Sequence, residues 1–417
     1  MLIPRTLDEV DYWDLDMFTD GDPHAAWRLQ RAEAPVWWHD RPGGEPFWSV
    51  TRLDDGRAVF GDPLRFSSQR DGIMVRSADM MSNPGGAGAF GIHPMIHTDP
   101  PRHQPLRKVV SHRFTPRAIG ELEERVRGFA RAVIDEAADR REVDFVTDVA
   151  HRIPAQVTFW LLDVPEERWD RLAHLEHNTV TSSDPEFTQG RTPGEAAAAA
   201  GMEIHTYFAE LIQARMDDLH DDRTDLLSEY LRGRIDGEPL GWIQVVAEAG
   251  LLLAGGLDTT RAAASAGAML PLLRHPDQLA ALQADPGLLA VAVEEFVRWA
   301  SPITSEARTV TTDTELAGHR LREGERVVVW GPSCNRDEAH FAEPDRYDIR
   351  RQPNRHLGFS YGEHFCLGAH LARLILRVEF EELLSRIRDV ELAGEPARVR
   401  SNFVGGLKHL PVRLTPR

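Results

Sequence analysis

The chain has 417 residues, with 66 Asp and Glu against 48 Lys and Arg, a net charge of −18. That balance argues against binding nucleic acid through its phosphates, which needs a basic surface; local basic clusters do exist, at Arg102–Lys108 and Arg346–Arg355. Apolar residues at 42% and charged ones at 27% are ordinary for a globular protein, and two cysteines, Cys334 and Cys366, are too few for a disulfide framework and fit a reducing compartment.

The opening residues MLIPRTLDEVDYWDLD hold neither a basic nor an apolar run, so no signal peptide is expected. Around Val36–Val50, aromatic and β-branched residues flank Pro-Gly-Gly and predict a short hairpin. Asn83–Gly91 and Thr181–Gly194 read as long loops inside one domain, so residues 1–417 are expected to form a single domain. Helical periodicity marks Glu121–Arg140 and Glu166–His177, and a run of alanines makes Gly194–Asp218 a long helix.

Leu240–Arg274 reads as a long helix, apolar on most faces, that runs through the core. Its most apolar part, Val245–Gly256, contains Glu248 and is too short to span a bilayer, so a soluble, cytoplasmic protein with no membrane anchor is expected. Pro276–Trp299 continues helical, and Thr309–Trp330 alternates like short strands. Val378–Asp389 is helical again, and Ser401–Leu414 looks like a terminal hairpin. The expected class is mainly α with a minor β region.

Two segments carry chemistry. In HLGFSYGEHFCLGAH, glycines and aromatics lead into Cys366, and the helical run LGAHLARLILRVEF follows. A cysteine at a helix N-terminus feels free N–H groups and the positive end of the dipole, which favour thiolate. A lone buried cysteine is more often inert packing, and His356, His364, Cys366 and His370 could together make a zinc site, although their spacing fits no standard zinc module. In the long helix, AGGLDTT places Gly255 and Gly256 mid-helix, at a cost of about 1 kcal/mol each relative to alanine. Something close to the backbone, or a close helix contact, explains that cost. Thr259 can hydrogen-bond the carbonyl of Gly255 and bend the helix there.

The cysteine segment resembles the heme-binding signature of the cytochrome P450 family, Phe-Gly-x-Gly-x-His-x-Cys-x-Gly. Phe359, Gly362, His364, Cys366 and Gly368 meet it, and Ser360 stands at the first glycine position. Three further matches follow in family order. Asp258 and Thr259 resemble the acid–alcohol pair of the oxygen-binding groove. Glu295 and Arg298 resemble the Glu-x-x-Arg motif, whose partner by the same match is Arg346. His103, Arg107, Arg308 and His364 resemble the contacts to the heme carboxylates.

The resemblance implies the cytochrome P450 fold and heme b, iron protoporphyrin IX, with Cys366 as its thiolate ligand. It implies a monooxygenase in which Asp258 and Thr259 deliver protons to dioxygen. No flavin or iron–sulfur motif is present, so electrons are expected from a separate ferredoxin and ferredoxin reductase, docking on Arg102, Lys108 and Arg113. By the same analogy the substrate pocket draws on Ile73–Ile96, Leu251, Ala254, Gly255, Ile303–Thr304 and Phe403–Val404. That lining implies a lipophilic natural product, terpenoid or steroid. Trp299 and the end SNFVGGLKHLPVRL resemble members acting on sterols and branched lipids, and Gly85, Gly86 and Gly88 suit a lid or simple disorder. A peroxygenase driven by hydrogen peroxide, a non-catalytic heme protein that binds a ligand or senses gas, and a zinc protein without heme are the alternatives.

Overall fold

Aromatic and β-branched side chains fill a pleated, half-buried surface, and on either side of the Pro-Gly-Gly turn they form the hairpin of β1 (Val36–His39) and β2 (Phe47–Val50). The computed structural model describes residues 4–82, 92–188, 190–220 and 222–417. The loop expected at Asn83–Gly91, with its three glycines, lies outside the described residues. After β3 (Phe66–Ser67) come helix α1 (His103–Ser111), α2 (Glu123–Arg140), strand β4 (Glu142–Asp144), α3 (Arg152–Leu161), α4 (Trp169–Val180) and α5 (Pro193–Asp217). Thr192 and Glu195 cap α5 reciprocally with Pro193 in its first turn, so the helix starts one residue before the alanine pattern suggested. Part of the Thr181–Gly194 segment is therefore helical, including a turn at Pro185–Thr188.

The expected long helix is built in four pieces. These are α6 (Trp242–Gly256), α7 (Asp258–Ala262), a π-helical segment Ala263–Met269 and the closing turn Leu270–Arg274. The break falls at Leu257, directly after the two glycines. Thr259 Oγ1 donates to the Gly255 carbonyl at 2.9 Å, the bond that bends a helix. A Cβ on Gly256 would sit 2.4 Å from Thr158 Oγ1, so this glycine lets the helix press onto α3. Gly255 has no atom within 4 Å of its Cβ position, because it faces a cavity. The two costly glycines thus serve a close contact and an open space, one each.

Helix α8 (Leu289–Ala300), strands β5 (Ser305–Val310) and β6 (Arg326–Trp330), helix α9 (Ala369–Arg386) and strands β7 (Ile387–Leu392), β8 (Ala397–Arg398), β9 (Leu407–His409) and β10 (Pro411–Pro416) complete the elements that position the site. The main sheet runs β1-β2-β6-β5-β3, with β2 and β6 parallel and the other pairs antiparallel. Every residue of β5 and β6 is buried, which explains the unbroken Val-Val-Val of β6. Two expectations need correction. The helix read at Val378–Asp389 ends at Arg386, and Ile387 already starts β7. The terminal hairpin at Ser401–Leu414 does not form as one unit. Strand β9 pairs with β8, while β10 lies between β7 and β4, with Val412 opposite Val143. No helix among the described residues is long and apolar enough to cross a membrane.

Candidate active site

Cys366 lies three residues before α9 rather than at its first turn, in the turn Gly362–Gly368. The loop is closed by Cys366 N–H donating to the Phe359 carbonyl at 2.9 Å and Ser360 N–H to Leu357 at 2.9 Å. Phe359 is clamped from the other side by Arg373, 4.4 Å above its ring, which Glu294 holds in place. Burial pushes the Cys366 thiol up, while the Gly368 N–H, Arg107 and Arg373 pull the other way. The thiolate-favouring groups expected at a helix start are thus present, but they do not outweigh desolvation. His356 lies 3.3 Å from Glu294 and His364 bonds Ser68, and among the described residues no three His, Cys, Asp or Glu side chains gather to hold a metal ion, which counts against the zinc alternative.

Ser360 keeps the backbone conformation of the glycine it replaces, with φ +59°, and Gly362 follows at +70°. A Cβ on Gly362 would strike the Phe60 carbonyl at 2.5 Å. The left-handed conformation costs an ordinary residue about 1–2 kcal/mol, and Ser360 recovers little through its long 3.4 Å contact to Glu306. Ser360→Gly should therefore raise stability by about 1 kcal/mol, read as a higher urea midpoint at unchanged slope.

Beneath the loop, Glu295 and Arg298 form a bidentate pair, both contacts 2.7 Å, with both side chains fully buried. The third member is Arg351, 3.3 Å from Glu295, and not Arg346, which pairs with Glu343 on the surface. Arg351 also donates to the carbonyls of Ala342, Glu343 and Arg346, so it ties the segment before the cysteine loop to α8. Arg298→Ala leaves a buried carboxylate without its main partner and should cost about 3–5 kcal/mol, measurable by chemical unfolding.

Between this loop and the bent helix lies a cavity of about 330 Å³. Cys366, Phe359 and Gly368 line one side; Ala254, Gly255, Asp258 and Thr259 line the other. Leu251, Ile73, Ile96, Ile303, Phe403 and Val404 form part of its wall as expected from the sequence. Thr304 does not; its side chain packs beside Gly405, where its backbone N–H reaches the Phe403 carbonyl. Thr158, Phe114 and Val180 were not anticipated, since they come from helices without any local motif.

At one edge, the rings of His103 and His364 stand 4.2 Å apart. His103 is buried; its ring nitrogens make no hydrogen bond with the described residues, and the nearest carboxylate, Glu363, lies 3.7 Å from Nδ1. Burial, with Arg107 adding to it, pushes His103 down to about 4; burial and then Arg308 push His364 down to about 2. Arg107 lines the cavity and makes no hydrogen bond or ion pair with the described residues, and burial lowers its proton affinity. Arg308 is buried but engaged by Glu306 at 2.6 Å and stacked on Phe60, so it does not itself line the cavity.

Across the cavity, Asp258 points its carboxylate away from Thr259. Its Oδ2 accepts from His177 Nδ1 at 3.0 Å, and its Oδ1 lies 3.2 Å from Arg261. Burial would raise its pKa, but Arg261 and His177 outweigh that and hold it well below the usual carboxylate range. His177 was not legible from the motif, because it lies 81 residues away, whereas Arg261 sits three residues on along the same helix.

An apolar chamber beside a cysteine loop, edged by the His103 imidazole and the Arg107 guanidinium, neither of them hydrogen-bonded among the described residues, suits a flat apolar cofactor that carries acidic groups. The comparisons agree. The Cytochrome P450 family model matches residues 287–397. Linalool 8-monooxygenase of Pseudomonas putida is 35% identical, covering 99% of this chain and 100% of its own. Methyl-branched lipid omega-hydroxylase of Mycobacterium tuberculosis is 36% identical, covering 97% and 94%. The crystal structure of CYP108D1 from Novosphingobium aromaticivorans superposes with a TM-score of 0.88 over 100% of both chains at 32% identity. The chain belongs to the cytochrome P450 family, and it is a monooxygenase whose heme carries a cysteine thiolate axial ligand. The residues present fit that group: orphaned nitrogens on His103 and an uncommitted Arg107 await carboxylates, and a sulfur faces the cavity.

Proposed function

We propose that this enzyme hydroxylates a lipophilic small molecule of terpenoid or branched-lipid type, with electrons from a separate ferredoxin and its reductase. The observation that carries the substrate class is the cavity wall, built from Ile73, Ile96, Leu251, Ile303, Phe403 and Val404 with few polar groups. Such a wall binds by burial of apolar surface, and its few polar groups fix orientation. The names of the terpenoid and branched-lipid relatives support the same class.

In this reading Cys366 would hold the heme iron through its sulfur. His103, Arg107 and His364 hold the heme carboxylates, and Arg308 adds positive charge from behind Glu306. Phe359 and Gly368 shape the loop around the sulfur. The heme, when bound, supplies the oxygen activation and insertion. The chain's own part is to exclude water and to place protons. Thr259 Oγ1 can hold a proton at the cavity and pass it on, and Asp258, its neighbour on α7, replenishes it by turning from His177 toward the hydroxyl. Arg102, Lys108 and Arg113 form the basic surface for the ferredoxin.

A titration of the purified heme protein with linalool-type alcohols, methyl-branched fatty acids and steroids tests the reading. A spin-state shift at micromolar levels with one of the first two sets, and ferredoxin-dependent product formation, is expected. Shifts with none of them, or full turnover without any ferredoxin, would refute it.

A further inference from the structure

Glu248 is the one acid in Val245–Gly256, the most apolar stretch of the central helix, and it is completely buried. It is not part of the cavity wall. A carboxyl placed there without partners would be costly. Its partners come from the segment before α1. Glu248 Oε1 accepts from the Met95 N–H at 2.9 Å and from Gln244 Nε2 at 2.8 Å, while Oε2 is buried without a partner among the described residues. Gln244 stands one turn earlier on the same face of α6. Its amide also donates to the His93 carbonyl at 2.9 Å and accepts from Arg102 Nη2 at 3.0 Å. That set fixes the amide's direction. Flipped, its oxygen would face two acceptors and its hydrogens would face Arg102.

Met95 opens a single 3-10 turn, Met95–His97, so its N–H has no acceptor inside the turn. Its carbonyl is held by Thr98, through N–H at 3.2 Å and Oγ1 at 2.8 Å. With the N–H on Glu248, both polar groups of the Met95 backbone are committed. Met95 and Ile96 both line the cavity. One turn of 3-10 helix has few bonds of its own, so what it is tied to decides where it sits. Burial pushes the Glu248 carboxyl up to about 7, while its bonds to Gln244 and Met95, and then Arg102, pull the other way. Oε1 stays an acceptor in either protonation state, so the tie holds on both sides of neutrality.

We propose that Glu248 is a positioning residue for substrate specificity: together with Gln244 it ties Met95 and Ile96 to the central helix and so sets that part of the cavity wall. A wall held in place beforehand loses less freedom when a ligand packs on it than one that must first be ordered. The molecules affected are those whose apolar body fills the cavity as far as Met95 and Ile96. A small ligand that stays at the iron is indifferent. This rests on the reading of the cavity as the substrate site. Glu248 acts only through the segment it holds.

Two probes that bind heme iron through the same imidazole nitrogen separate the wall from the iron: N-methylimidazole, and N-dodecylimidazole, whose chain must pack along the wall. Spectral titration of the purified heme protein gives the ratio of their affinities. Glu248→Leu keeps the bulk but offers no acceptor. It should lower that ratio severalfold, while N-methylimidazole binds as before and the reduced carbon-monoxide band stays. Glu248→Gln keeps an oxygen for the Met95 N–H and should restore most of the ratio. Gln244→Met frees the His93 carbonyl and should fall between, which also covers a leucine variant that does not fold. Hydrogen exchange at the Met95 amide should be slow in the wild type and faster in Glu248→Leu. An unchanged ratio in both Glu248→Leu and Gln244→Met overturns the proposal, and so does a glutamine variant no better than the leucine one. If terpenoids and branched lipids fail to bind the wild type but the ratio falls as expected, the substrate class is wrong and the tie stands. If they bind and the ratio does not move, the class stands and the tie has no part.

Discussion

Cys366→Ser should abolish the red-shifted band of the reduced, carbon-monoxide-bound protein and bring monooxygenase turnover to background, while the protein still folds. The sulfur lies on the cavity wall and in a loop held by the backbone bond from Cys366 to Phe359, which a serine preserves. What changes is the donor. Burial already pushes the thiol up, against help from the Gly368 N–H, Arg107 and Arg373. A hydroxyl starts far higher, so the same helpers cannot ionise it, and the electron density that a thiolate gives to iron is lost. Far-ultraviolet circular dichroism should be unchanged. A variant that kept the wild-type band would remove Cys366 from the site.

Thr259→Ala should act on a different quantity. The band and the substrate-induced spin shift should stay, while product per electron falls roughly tenfold, a modest loss for removal of a positioned proton donor, and hydrogen peroxide takes up the difference. The structural ground is that Thr259 Oγ1 is on the cavity wall, beside Asp258 in sequence and bonded to the Gly255 carbonyl at 2.9 Å. Removing the hydroxyl also removes that bond and relaxes the bend at Leu257, so Thr259→Ser is the control. It retains the oxygen and should retain most of the coupling. Equal coupling in all three proteins would exclude a proton role for this hydroxyl. Peroxide-driven turnover that exceeds the ferredoxin-driven rate would favour the peroxygenase alternative instead.

Much of the site could be read locally. The turn around Cys366 was legible because glycines and a helical run flank it. Even Ser360 only substitutes for a glycine, without moving the backbone out of the left-handed region. The bend after Gly256 was legible because two weak helix formers precede a threonine that can bond back to the preceding turn. The partners were not legible. Arg346 and Arg351 are five residues apart in one basic run, and only the path of the chain around α8 brings Arg351 to Glu295. Thr304 sits next to a residue of the wall, but a single turn of backbone aims it at Gly405.

What the sequence determined alone was the class of elements, the hairpin at the N-terminal end of the sheet, the cysteine turn and the break in the central helix. Each follows from propensity, periodicity or a bond within four residues, and these act wherever the segment lies. Only the tertiary structure decided that β10 pairs with β4 from the far end of the chain and that Asp258 faces His177. Those outcomes depend on which surfaces pack across long stretches of chain, and the burial that shifts Asp258, His177, His103 and His364 exists only once they have packed.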